Sequence, residues 1–248
     1  MLNNKKVIAC DLDGTLTESK SALSKEMSKV LCQVLMKHYL AVISGGSYKQ
    51  YQKQFLSYLV CSPEQLKNLY LFPTNGSTCY IFEEGYWKQI YNEPLSDTER
   101  KDIIFALKEA IKETRLNLNG AYGEIIEDRG SQVTFSGCGQ DAPIELKKIW
   151  DPDRSKRQAI VDILQKKIPQ FEIRANATSS IDITKKGIDK AYAIKKIKEI
   201  LNINDEDIVF VGDALYPGGN DSAVKKTTVD FIQKGGPDET IEFLEQYT

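Results

Sequence analysis

Histidine is almost missing. His38 is the only one in 248 residues, so any chemistry that needs two imidazoles is excluded. Cysteine occurs five times, as Cys10, Cys32, Cys61, Cys79 and Cys138. The set is odd in number, widely spaced and lacks a CxxC pair. That pattern predicts neither a disulfide framework nor a zinc site, and it predicts a reducing, cytoplasmic setting. No apolar run approaches the roughly 20 residues of a membrane span. The opening MLNNKK passes straight into the apolar VIAC, with no secretory h-region between them. Charge of one sign is not in excess either. The 33 basic and 35 acidic side chains leave a net charge of -2, a balance that gives no reason to expect a nucleic acid or an anionic membrane as partner.

What is present is a core and a pattern. Hydrophobic residues make up 41% of the chain, enough to bury a core in one large domain or two small ones. Residues 6–10 read as a buried strand ending at DLDGT. Residues 24–37 follow as a helix, with Met27, Val30, Leu31, Val34 and Leu35 at helical spacing. A strand at 39–43 ends at SGGS, a helix is expected over 47–59, and an apolar run at 69–73 ends at the Asn75-Gly76 turn signal. This alternation predicts a parallel α/β sheet.

The middle of the chain differs. A helix over 96–114 opens on Ser96 with Glu99 three residues later, the signature of a capping box. Short strands at 124–127, 131–136, 171–175 and 180–184 surround a helix at 155–168. Paired strands of this kind predict an antiparallel α+β module. The parallel pattern then returns with a helix at 189–201, strands at 207–211 and 228–232, and a closing helix at 237–246. The expected fold is therefore α/β, a Rossmann-like parallel-sheet core with an inserted α+β cap. Residues 1–91 and 187–248 form the core and residues 92–186 the cap.

The chemistry-bearing residues sit at strand ends, where α/β sheets place their ligands. Asp11 and Asp13 are two apart, so strand geometry puts both side chains on one side. One carboxylate can attack phosphorus; the other can protonate the leaving oxygen and later activate water. A bare DxD would as readily be a pair of turn aspartates, but the full DLDGTLT follows an apolar strand. Ser44, in ISGGS, offers a hydroxyl and glycine amides to a phosphate oxygen. Lys190 opens a helix and can neutralise a transferring phosphoryl group. Asp213 and Asp221 lie in GDALYPGGND, and Asp213 with Asp11 supplies the carboxylate pair that magnesium prefers. Each of the last three motifs, taken alone, is also an ordinary turn or a surface lysine; their order along one chain is what selects the chemistry.

DLDGT, ISGGS, Lys190 and GDALYPGGND, in that order, resemble the haloacid dehalogenase superfamily of phosphatases and phosphomutases. The insert between the second and third motifs resembles the type with a large C2B cap. EDRGSQVTFS, WDPDRSKRQAI, SSIDITKKGIDKAYAI and FVGDALYPGGND are most similar to eukaryotic-type phosphomannomutases and their bacterial sugar-phosphatase relatives. The resemblance implies Asp11 as nucleophile and Asp13 as general acid/base. It implies Mg2+ held by Asp11, the backbone carbonyl of Asp13, and Asp213, with Asn220 and Asp221 supporting the site. Ser44 and Lys190 would bind the transferring phosphoryl group. In the cap, Arg129 and Arg157 match positions that hold a distal phosphate, and Ser180 and Asp182 match positions that touch sugar hydroxyls. The residues themselves leave a solvated role open for both arginines.

Two departures bear on the reaction. Where the resembled mutases carry a further cap arginine, this chain reads GCGQ, Gly137 to Gln140. Where they carry a glycine pair before SSID, it has Asn176 and Ala177. Losing one guanidinium weakens the grip on a second phosphate, although Arg154 or Arg174 could stand in. The expected function is a magnesium-dependent phosphatase acting on a sugar phosphate or similar small phosphorylated metabolite, with a hexose phosphomutase as the alternative. Oligomeric state is not legible. His38, Trp87 and Trp150 are expected to pack, not to react.

Overall fold

The computed structural model describes residues 4–176 and 178–248. Residues 1–3, within the opening segment, and Ala177 lie outside the described residues. In chain order the strands are β1 (Val7–Asp11), β2 (Tyr39–Ile43), β3 (Leu69–Phe72), β4 (Thr78–Glu83), β5 (Tyr86–Asn92), β6 (Ile126–Asp128), β7 (Gln132–Ser136), β8 (Phe171–Asn176), β9 (Ser180–Lys185), β10 (Ile208–Gly212) and β11 (Asp230–Gln233). The helices are α1 (Lys25–Val34), α2 (Tyr48–Gln54), α3 (Pro63–Leu66), α4 (Asp97–Glu113), α5 (Ile144–Trp150), α6 (Ser155–Lys167), α7 (Lys190–Leu201) and α8 (Pro237–Leu244). The chain divides into two units, Met1–Asn92 with Asp189–Thr248, and Glu93–Ile188. The architecture is a Rossmann-like core and an inserted α+β cap.

In the core unit seven strands form one sheet in the order β11-β10-β1-β2-β3-β4-β5. β1 is buried at all five positions, as a central parallel strand covered on both faces must be. Alternate residues serve the two faces. Ile8, Cys10, Leu40 and Val42 join a cluster with α1 and α8, while Val7, Ala9, Ala41 and Ile43 join one with α7. Ser24 caps α1 by accepting from the Met27 N–H at 3.0 Å, a device worth about 1 kcal/mol. The β4–β5 hairpin extends the sheet antiparallel. Its turn is Glu84-Gly85, with φ of 54° and 88°, the left-handed pair that a two-residue hairpin turn requires.

The cap unit is a four-stranded antiparallel sheet, β6-β7-β9-β8. Period two again sorts its faces. Val133, Phe135, Ile181 and Ile183 pack against Ile103, Leu107, Ile160 and Leu164 of α4 and α6. Gln132, Thr134, Ser180, Asp182 and Thr184 lie on the opposite face. The capping box at Ser96 is formed: its hydroxyl accepts from Glu99 N–H, and the Glu99 carboxylate accepts from Ser96 N–H.

Two expectations are corrected. The helix expected over 47–59 stops at Gln54, because the Gln54 carbonyl accepts from the Leu23 N–H while Tyr58 N–H turns to Phe55 in a tighter helical turn. Cys32 and Cys61 are disulfide-bonded, with Cα atoms 5.2 Å apart. They are 29 residues apart in sequence, and spacing alone gives no sign that they meet. The segment after α2 folds back onto α1, where Val60 N–H donates to Ser28 Oγ at 2.9 Å and Gln65 Nε2 to the Cys32 carbonyl at 2.7 Å. The cysteine-based argument for a reducing compartment falls with this pair. Among the described residues no helix is long and apolar enough to cross a membrane. His38 bonds through Nδ1 to the Lys5 carbonyl and meets Tyr247 edge-on. Trp87 packs on Phe82, and Trp150 on Phe135.

Candidate active site

Three adjacent parallel strands end together. Asp11 closes β1 opposite Ile43 of β2, so Ser44 lies one residue beyond. On the other side Cys10 pairs with Val211 of β10, which puts Gly212 level with Asp11 and Asp213 just past it. β1 is where the chain's crossovers diverge, to β2 on one side and β10 on the other, the place where such sheets bind ligands.

Asp11 is 2% exposed. Its Oδ1 accepts from the Leu12 N–H at 2.8 Å and pairs with Lys190 Nζ at 2.6 Å. Asn220 Nδ2 approaches its Oδ2 at 3.5 Å. Lys190, 1% exposed at the start of α7, also pairs with Asp221. The second oxygen of Asp221 accepts from the Ala214 N–H at 2.9 Å. Asp189 caps α7 and so fixes where Lys190 points. Gly76 lets α7 lie close: a Cβ there would stand 2.6 Å from Ala193 Cβ. Gly14, at φ 83°, has the same function toward Asp213, whose Oδ2 would be 2.6 Å from an added Cβ.

Carboxylate oxygens of Asp11, Asp213 and Asp221 lie within 4.8 Å of one another, with one ammonium among them. Burial pushes Asp11 up from the usual carboxylate range; Lys190 opposes this, and Asp221 and Asp213 add to it. Burial and Asp221 also raise Asp213, to about 6. Burial pulls Lys190 down, but Asp11 and Asp221 outweigh it and hold the ammonium charged. Carboxylates this crowded have room for a neutralising divalent cation. An all-oxygen donor set with surplus negative charge suits magnesium, and Asp11 and Asp213 are the residues that would hold it.

Ser44 is 3% exposed. Its Oγ accepts from Gly46 N–H at 3.1 Å, which leaves its own hydrogen to donate. The loop is braced from behind: Asn75 N–H donates to the Ser44 carbonyl and Thr74 N–H to the Gly46 carbonyl. Thr74 and Asn75 hold φ of 51° and 58°, a costly backbone for non-glycine residues that is typical of functional sites. Asp13 Oδ1 accepts from Lys20 N–H at 2.5 Å and from Gln54 Nε2 at 2.8 Å. Nothing in the sequence marks Lys20, Asn75 or Gln54 as part of the site. Lys20, at φ 57°, and Gln54 carry no spacing that ties them to Asp13; only the Asn75-Gly76 turn signal marked its place.

In the cap unit the four substrate candidates lie in hydrogen-bonded settings. Arg129 donates to Glu127 through Nε and Nη2, at 2.9 and 2.6 Å, and to Gln140 at 3.4 Å. Arg157, 2% exposed, donates to Asp151 Oδ2 at 2.7 Å and to the Asn176 carbonyl at 3.1 Å. Asp182 accepts from Thr134 at 2.8 Å and Asn176 at 2.6 Å, and Ser180 opens β9 on the same face, opposite Ser136 and Asn176. Arg174 pairs with Glu172, and Arg154 takes a left-handed φ of 65° before α6.

A family model described as haloacid dehalogenase-like hydrolase matches residues 8–221. Among curated relatives, a probable phosphomannomutase of Caenorhabditis elegans is 24% identical over 256 residues, covering 98% of this chain and 95% of that one. A phosphomannomutase of Solanum lycopersicum is 28% identical over 226 residues, covering 86% and 82%. Among solved structures, the IMP-nucleotidase of Plasmodium falciparum matches with a TM-score of 0.73 at 17% identity, over 100% of this chain and 71% of that one. A haloacid dehalogenase-like hydrolase from Bacteroides thetaiotaomicron matches with a TM-score of 0.61 at 16% identity, over 98% and 100%. At those identities the structures speak for the fold.

Proposed function

The chain belongs to the haloacid dehalogenase-like hydrolases, and we propose that it is a magnesium-dependent phosphatase of a sugar phosphate or similar small phosphorylated metabolite. The observation that carries this is the largely buried cluster of Asp11, Lys190, Asp213 and Asp221 beside the ends of β1 and β10. An Asp11 carboxylate oxygen attacks phosphorus, and the bond from phosphorus to the leaving oxygen breaks as Asp13 gives that oxygen a proton. Water then attacks the aspartyl-phosphate, gives its proton back to Asp13, and phosphate leaves. Lys190 and the Ser44 hydroxyl offset charge on the phosphoryl oxygens. Magnesium, when bound by Asp11, the Asp13 backbone carbonyl and Asp213, supplies charge neutralisation between the anionic nucleophile and the anionic ester.

A second reading, a hexose phosphomutase, is favoured by the phosphomannomutase relatives that span nearly the whole chain. Against it stands the cap, where Gln140 faces Arg129 and the Arg157 guanidinium is committed to Asp151. A mutase must hold a second phosphate while the first reacts, and both guanidiniums would have to share existing partners to do so. The deciding experiment supplies mannose 1-phosphate or glucose 1-phosphate with magnesium and the matching bisphosphate. Free phosphate as the main product supports the phosphatase; 6-phosphate as the main product, with little phosphate released, supports the mutase.

A further inference from the structure

We propose that Gln54 is a positioning residue for Asp13, and that it selects the Asp13 oxygen that carries the proton. The inference rests on the reading of Asp13 as general acid/base. Gln54 is the last residue of α2 and is 8% exposed. Its Nε2 donates to Asp13 Oδ1 at 2.8 Å and to Thr17 Oγ1 at 2.9 Å. The orientation of the amide follows from chemistry: an ionised carboxylate only accepts, so the NH2 group must face Asp13. Lys20 N–H donates to the same Oδ1. Among the described residues no hydrogen bond reaches Asp13 Oδ2.

The two donors make the carboxylate asymmetric. An oxygen that already accepts two N–H groups is a poor seat for a proton, and turning the carboxylate over would break both bonds. Oδ2 is then the atom that exchanges protons. In the first step its O–H bond breaks and the hydrogen passes to the leaving oxygen. In the second it receives a hydrogen from the attacking water. Positioned groups of this kind supply a large part of acid–base catalysis.

The helix that carries Gln54 is itself fastened to the phosphate loop. Ser47 closes a capping box at its start, one residue after Gly46. Tyr51, fully buried, donates from its hydroxyl to the Val42 and Phe72 carbonyls at 3.1 and 3.3 Å. Gln54 follows nearly one turn later, and its own carbonyl is held by Leu23 N–H at 2.9 Å. The Ser44 loop and Asp13 are thus tied by one short helix with three anchors.

The test uses leaving groups. An alkyl phosphate expels a basic alkoxide and needs the acid; 4-nitrophenyl phosphate expels a weakly basic phenolate and does not. kcat/KM reports only the steps through departure of the first product, so the later water step does not enter. Gln54→Glu, which keeps the shape and removes the donor, and Gln54→Ala are compared with the wild type and with Asp13→Asn. We expect both Gln54 variants to lose about tenfold on the alkyl ester, a fraction of the roughly 10²–10⁴-fold worth of general acid–base catalysis, and several-fold less on the aryl ester. Equal losses on the two esters, or none, with Asp13→Asn still selective against the alkyl ester, would overturn the role of Gln54 alone. An Asp13→Asn protein with no such selectivity would overturn the reading of Asp13, and the role of Gln54 with it.

Discussion

The two units handle charge in opposite ways. At the strand ends of the core, Asp11, Asp213 and Asp221 crowd around a single Lys190, and burial raises the pKa of Asp11 and Asp213. In the cap, arginines sit beside a carboxylate of their own: Arg129 with Glu127, Arg157 with Asp151, Arg174 with Glu172, Arg100 with Asp128. Crowded like charge costs stability and is tolerated where a ligand is to neutralise it. Paired charge holds a frame. The same edit, carboxylate to amide, should therefore have different consequences in the two places.

The largest effect belongs to Asp11, the proposed nucleophile. Asp11→Asn should lower phosphate release by more than about 10³-fold, the equivalent of roughly 4 kcal/mol in the barrier, because an amide is a poor nucleophile. The folded state should survive, since the change removes one of three crowded carboxylates. Near-normal turnover by the purified variant would remove the covalent step.

In the cap the comparable edit should break the fold instead. Asp151 is wholly buried. It pairs with Arg157 and accepts from the Lys156 and Arg157 N–H groups at the start of α6. Asp151→Asn leaves a buried guanidinium without its counter-charge, a loss of about 3–5 kcal/mol. Denaturant unfolding followed by a cap-unit probe such as Trp150 fluorescence measures it. A loss below 1 kcal/mol would mean that the pair is not the brace it looks like.

How much of this was legible follows from period and from distance. β1, β2, β10 and the apolar face of α1 could be read because each is a local pattern: continuous burial in the strands and a three-four repeat in the helix. The strand-end positions of Asp11, Ser44 and Asp213 came with them, since parallel neighbours end together. The β4–β5 hairpin was missed. YWKQIYN alternates weakly, and its turn signal is Glu-Gly in place of the stronger Asn-Gly or Asp-Gly. The Cys32–Cys61 bond, the bracing of the Ser44 loop by Thr74 and Asn75, and the bond from Gln54 to Asp13 join residues 28 to 41 positions apart. No periodicity encodes such meetings; they arise from the packing of whole elements.

A smaller effect sharpens the cap side of the contrast. Arg129 already serves Glu127 and Gln140, so a ligand has to compete for its donors. Arg129→Ala should raise KM for a sugar phosphate about tenfold or less, the lower end of what a charged hydrogen bond is worth, about 1.5 kcal/mol. An aryl phosphate without distal groups should be affected less. Equal losses on both would make Arg129 a residue of the frame.

The smallest effect has the opposite sign to the loss at Asp151. Burial, then Asp221, raise the Asp213 carboxyl from 3.8 to about 6, with Lys190 opposing. Between those two values the folded, metal-free protein keeps a proton that the unfolded chain has released. Stability falls with rising pH wherever the folded state binds more protons. The contribution of Asp213 is thus fully favourable below about pH 4 and is lost as pH passes 6. Asp11, raised for the same reasons, acts in the same direction. Asp213→Asn removes one of the repelling charges, so at pH 7.5 and without magnesium its Tm should exceed that of the wild type by a few degrees. The gap should shrink on acidification to pH 5, because the wild-type carboxyl is then largely neutral as well. Added magnesium should raise the wild-type Tm at pH 7.5, since a ligand bound to the folded state alone stabilises it, and should raise that of Asp213→Asn much less. Thermal melts at the two pH values, with and without magnesium, give all four quantities. A variant less stable than the wild type at pH 7.5 without metal would show that Asp213 braces the core as Asp151 braces the cap, and the contrast between the units would fail.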